Sequence, residues 1–119
     1  MIFGTGTDII EIDRVRRAVQ SEHFKNKVFT ENEQIHCESR GAQSAASYAA
    51  RFAAKEAFFK ALGTGIFTAL TEVEILNNDA GQPQIFLHGR AKTFTGDKKI
   101  FVSLSHCKEY ATAFVTLTD

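Results

Sequence analysis

The chain has no tryptophan, one proline and one methionine, and its acidic and basic residues cancel to a formal charge of zero. Each shortage excludes something. Balanced charge excludes the broad basic surface of a general nucleic-acid binder, so no nucleic-acid partner is expected and any cationic site must be local. One proline and eight scattered glycines leave no hinge between lobes and no low-complexity tract. No stretch approaches the roughly 18 apolar residues of a membrane span, so no membrane partner is expected. Cysteine is limited to Cys37 and Cys107, whose spacing is of no metal-binding type. The opening MIFGTGTDII reads as a strand, with no basic stretch ahead of a long apolar run. A reduced, cytoplasmic setting with both cysteines as thiols is the expectation.

What is present suits one domain spanning residues 1–119, with one modest core. Eleven phenylalanines predict that this core is Phe-rich. Residues 2–10 alternate as a strand, with Gly4, Gly6 and Asp8 on one face. A helix is predicted from about Asp13 to Gln20, with Asp13 as N-cap. Thr30-Glu31-Asn32-Glu33 has the form of a capping box and predicts a helix through Ile35 to about Arg40. Ser44–Leu62 is rich in Ala and ends at Gly63, which predicts a long helix with a glycine just past its end. Strands are predicted over Thr71–Leu76 and Gln84–Leu87, a short helix near Arg90–Phe94, and a closing hairpin from Lys99–Ser105 and Tyr110–Leu117. The order β-α-α-α-β-β-α-β-β predicts an α+β fold, with helices packed on a small antiparallel sheet.

The long helix is apolar nearly all round, yet Arg51, Lys55, Glu56 and Lys60 sit inside it. Projected at about 100° per residue, Glu56 and Lys60 fall near one line with Ala49, Ala53 and Ala57. Methyl-sized neighbours should leave room above that stripe for a ligand. The plain alternative is a solvated pair four residues apart, worth ~0.3–0.5 kcal/mol, and the helix alone favours it. Asp8 shifts the balance. A mid-strand carboxylate is disfavoured and, if buried, needs a partner: an arginine, or a cation shared with Glu56. His106 ends the segment Ser103-Leu104-Ser105-His106. It reads either as a surface histidine or as a contact to a phosphate or leaving group.

Three segments together resemble the holo-acyl-carrier-protein synthases, the short type within the 4′-phosphopantetheinyl transferase family. Gly6-Thr7-Asp8-Ile9-Ile10-Glu11-Ile12-Asp13-Arg14-Val15 is similar to their opening G-x-D-I-x-x-I-x-R-[IV]. Arg51 to Ala61, followed by Gly63-Thr64-Gly65, is similar to their R-F-A-A-K-E-A-F-x-K-A helix and G-T-G loop. Gly81-Gln82-Pro83 and Ser103–His106 resemble their G-x-P turn and S-[LI]-[ST]-H strand end. The resemblance covers essentially the whole chain and departs most over residues 22–41.

The resemblance implies coenzyme A and apo-acyl carrier protein as substrates, Mg²⁺ on Asp8 and Glu56, and a homotrimer with active sites between protomers. It implies transfer of phosphopantetheine to a carrier serine in support of fatty acid biosynthesis. Asp8, Glu56, Lys60 and His106 are then the catalytic set. Arg51, Lys55, Lys60, Gly63, Thr64, Gly65, Pro83 and His106 are expected to hold coenzyme A. Lys55 and Arg51 are also readable as structural, and Pro83 is expected to lie flat on the adenine. From Arg14 to Lys27 there are five basic residues against the one acidic Glu22. Arg14, Arg17 and Lys25 are thus expected to meet the acidic carrier protein. Rival readings are a nucleotide-binding sensor without catalysis and a Mg²⁺-dependent phosphoryl transferase acting on a small molecule.

Overall fold

The computed structural model describes residues 1–119. Its elements run β1 (Ile2–Glu11), α1 (Ile12–Ala18), α2 (Glu22–Val28), α3 (Glu31–Glu38), α4 (Ser44–Leu62), β2 (Val73–Asn77), β3 (Pro83–Leu87), α5 (Gly89–Thr95), β4 (Lys99–His106) and β5 (Tyr110–Thr118). The architecture is α+β with antiparallel pairing throughout. The pairing forms two pieces: a three-stranded sheet in the order β1-β5-β4, and a separate β2-β3 hairpin.

Helix α4 lies across β1 and β5, and glycine decides how closely. A Cβ at Gly4 would overlap the carbonyl of Ala61, and one at Gly6 the carbonyl of Ala57. Ala49, Ala53 and Ala57 are fully buried. The alanine stripe therefore does not leave room for a ligand as expected: it is small because other backbone packs directly on it. This close approach sets the next residue on that strand face, Asp8, beside the C-terminal half of α4.

The inner sheet face presents Ala113, Val115 and Leu117 to one apolar cluster with Phe58, Phe59 and Leu62. A second cluster, holding Ile12, Val15, Phe29 and Tyr48, lies beneath α1 to α3. The predicted Phe-rich core is corrected. Only Phe29, Phe58 and Phe59 are buried, while Phe3, Phe86, Phe94, Phe101 and Phe114 are exposed. Phe3, Phe101 and Phe114 share the outer face of the three-stranded sheet with Ile9. Strand alternation sends one residue in two outward, and here nothing in the chain covers them.

Two local expectations also change. Glu11, not Asp13, is the N-cap of α1 and makes no side-chain cap bond. Asp13 falls in the first turn, where it accepts from Arg16 at 3.0 Å. Helix α2 was not predicted. Its signal is Ser21, whose hydroxyl accepts from the Phe24 N–H at 3.2 Å. Seven residues with only Phe24 and Val28 turned inward carry too little periodicity to read. The capping box at Thr30 forms with both of its bonds.

Candidate active site

Asp8 and Lys60 meet across the β1–α4 contact. Lys60 Nζ donates to Asp8 Oδ1 at 3.1 Å and to the Thr7 carbonyl at 3.0 Å. The lysine side chain remains 55% exposed and the aspartate only 14%. The protein partner of Asp8 is thus a lysine and not the arginine considered, and the alternative Glu56–Lys60 surface pair does not form. Glu56 lies one turn before Lys60 and is half-buried. Burial, then the neighbouring charge of Asp8, raises the Glu56 carboxyl above its ordinary range, with Lys60 and Arg14 opposing. Two carboxylates that feel each other this way share a local need for positive charge.

Beside them Glu56, Phe59, Lys60, Gly63, Gly65 and Ile66 line a cavity of about 370 Å³. Gly63 caps α4 at φ 83° and donates to the Phe59 carbonyl, the left-handed ending that glycine tolerates. The loop then turns past the helix end without side chains in the way. Thr64 is exposed, and its hydroxyl donates to the Gly65 carbonyl at 2.7 Å.

No cluster of three or more His, Cys, Asp or Glu side chains offers itself to a metal ion. Asp8 and Glu56 make a two-carboxylate donor set. That suits a hard cation that keeps waters and substrate oxygens in its shell, and does not suit a closed structural site.

Arg51 and His106 belong to a different place. Register aligns Asp8 with Ala113 and Leu104, so His106, two residues beyond Leu104 on β4, is two strands from β1. It lines a cavity of about 260 Å³ together with His36, Arg40, Arg51, Asn77 and Gly81. Arg51 is only 3% exposed. It donates to the Ser47 hydroxyl at 3.0 Å and to Asn77 Oδ1 at 3.2 Å, while its Nε has no acceptor. His36, Arg40, Ser47 and Asn77 escaped the sequence reading. They come from α3, the turn after it, α4 and β2, and no spacing along the chain marks their convergence.

Two expectations are corrected. Lys55 does not face a ligand: it is fully buried and donates to Glu33 at 2.8 Å, the Leu70 carbonyl at 3.0 Å and the Val73 carbonyl at 2.6 Å. All three of its donors are thus used inside the protein. Lys25 is not a free cation, because Glu22 and Glu38 each lie 3.1 Å from its ammonium. Arg17 stands 3.7 Å from Asp13. Arg14 is exposed and has no ion-pair partner. Pro83 opens β3 and lines a third cavity with Phe86 and Phe101, apart from both sites above.

The family model of the 4′-phosphopantetheinyl transferase superfamily matches residues 4–115. A holo-[acyl-carrier-protein] synthase of Ruminiclostridium cellulolyticum is 52% identical, covering 95% of this chain and 90% of its own. The crystal structure of a holo-(acyl-carrier-protein) synthase from Bacillus anthracis in complex with CoA (3′,5′-ADP) superimposes with a TM-score of 0.84 at 36% identity. That match covers 98% of this chain and 96% of the other. The holo-[acyl-carrier-protein] synthase of Neisseria meningitidis covers all of both chains at a TM-score of 0.90 and 30% identity.

Proposed function

Because the chain belongs to the 4′-phosphopantetheinyl transferase superfamily, we propose that it is a holo-[acyl-carrier-protein] synthase. It transfers 4′-phosphopantetheine from coenzyme A to a serine of apo-acyl carrier protein and releases 3′,5′-ADP, in support of fatty acid biosynthesis. The observation that carries this reading is Lys60 held on Asp8 beside Glu56, at the mouth of a cavity walled by glycine.

The reaction moves a phosphoryl group between two oxygens, so catalysis is positioning and charge stabilisation. Asp8 and Glu56 would hold Mg²⁺, which when bound would supply charge neutralisation at the diphosphate. Lys60 adds a mobile point charge on the same side. Its 55% exposure leaves it free to turn from Asp8 toward a phosphate oxygen. Gly63 and Gly65 let the diphosphate approach the backbone. Arg51 and His106 bind the nucleotide end, and Thr64 borders the site from the loop.

Lys60 and His106 line separate cavities of one chain, which favours an active site completed by a neighbouring protomer. The uncovered sheet face bearing Phe3, Ile9, Phe101 and Phe114 is the apolar surface such an assembly would bury. We assign it to the homotrimer contact. Residues 1–119 act as one domain, in the cytoplasm. Arg14, unpaired and electrostatically linked to Glu56, is the cation best placed to meet an acidic carrier protein.

Mass spectrometry of an apo-carrier protein incubated with this protein, Mg²⁺ and coenzyme A tests the reaction. The expected result is a mass gain of one phosphopantetheine with 3′,5′-ADP in the supernatant. An unmodified carrier protein refutes it.

A further inference from the structure

The cavity beneath β4 carries unbalanced charge. Its wall contains Arg40, Arg51, His36 and His106, and no carboxylate. Neither arginine has an ion-pair partner in the protein. The nearest acidic groups of α3 are turned elsewhere. Glu33 accepts from Lys55 and from the Ile75 N–H, and Glu38 accepts from Tyr48 and Lys25. Arg51 is almost wholly buried, and its Nε still lacks an acceptor. A buried guanidinium without an anion is costly, and a bound anion removes that cost.

His36 sits in this field half-buried, with Arg51 facing it from α4 and Arg40 from just beyond its own helix. His106 lies on the same cavity wall from β4, and Asn77 closes it from β2 without charge. Desolvation first, then the two arginines, hold the His36 imidazole below its ordinary range. A dianion entering the cavity offsets the two guanidinium charges and makes a second N–H on the ring more favourable.

We propose that His36 is a ligand for a phosphate monoester in this cavity and takes up a proton from solvent as that group binds. The proton goes to the ring nitrogen left bare in the neutral imidazole, and no covalent bond changes. The proposal rests on the reading that the nucleotide end of coenzyme A occupies this cavity. Binding is then pH-linked through a residue outside the motif segments. For each unit by which the anion raises the His36 midpoint, affinity at pH below the unliganded midpoint exceeds that at alkaline pH by about tenfold.

Titration calorimetry of the full chain with 3′,5′-ADP tests this, in buffers of different ionisation enthalpy near neutral pH. The expected heat varies with the buffer in the sense of proton uptake, and His36→Gln removes that variation and weakens binding. In the wild-type protein, the ring proton and carbon shifts of His36 move from neutral toward charged as 3′,5′-ADP is added. This second readout does not depend on the variant folding. Measurable binding with no buffer dependence, a dependence that survives in His36→Gln, or ring shifts that stay neutral overturns the proposal. Absence of any 3′,5′-ADP binding sinks the nucleotide reading, and this inference with it.

Discussion

Lys55 and Lys60 stand five residues apart on one helix and lead opposite lives. Lys55 is sealed, with a carboxylate and two carbonyls around its ammonium. Lys60 shares Asp8 with solvent at an open edge. Lys55 lies on the face of α4 covered by α3 and β2, whose Glu33 and Val73 help complete its shell. Lys60, about 140° further round the same helix, lies along β1 near the glycine loop and stays exposed. The same side chain is a structural tie in one place and an available charge in the other. Burial and the number of donors left over make the difference.

Substitution of each lysine breaks the comparison most sharply. Lys60→Met is expected to lower transferase kcat by about 10²–10³-fold, the usual loss when a charge stabiliser is removed. Its melting temperature should change little, because the lysine end of the Asp8 pair is open to solvent, which screens it. A variant that keeps its rate would detach Lys60 from the chemistry. Lys55→Met should do the reverse. It strands Glu33 in the core and should cost about 3–5 kcal/mol in denaturant unfolding, with the residual activity per folded molecule near normal. Wild-type stability for that variant would contradict the sealed ion pair.

Arg14→Glu tests the open edge as a docking surface. The apparent KM for carrier protein should rise by about tenfold or more at low salt while that for coenzyme A stays near its original value. Equal changes in both would move the docking site elsewhere. The smallest effect is expected at Glu38, whose carboxyl the Tyr48 hydroxyl, and then Lys25, hold below the ordinary range. A depressed carboxyl stabilises the fold above its unfolded pKa and loses that contribution as pH falls through the folded value. Glu38→Gln should therefore narrow the stability gap between neutral and acidic solution below about pH 4.5. Acid unfolding curves that superimpose on wild type would remove the pair from the account.

Much of the scaffold was legible because local rules decide it. Thr30 and Glu33 announce their capping box, Gly63 the end of α4, and the alternation over 99–118 the closing hairpin. The site was half legible. Asp8, Glu56 and Lys60 stand out as charges where the pattern wants apolar residues, and folding brings them together. The cavity of His36, Arg40 and Asn77 gave no such sign, since those side chains suit exposed positions equally well. The role of Lys55 was unreadable for the same reason: nothing local says that Glu33, 22 residues earlier, closes on it.

By itself the sequence determined where the helices and strands run and which carboxylates are out of place. Hydrogen-bond periodicity and capping are short-range and act within a few residues. The tertiary structure alone decided which alanines are pressed under glycine backbone, which lysine is enclosed, and which phenylalanines stay outside. Those outcomes depend on what each surface meets across the fold, and burial is a property of the meeting and not of the residue.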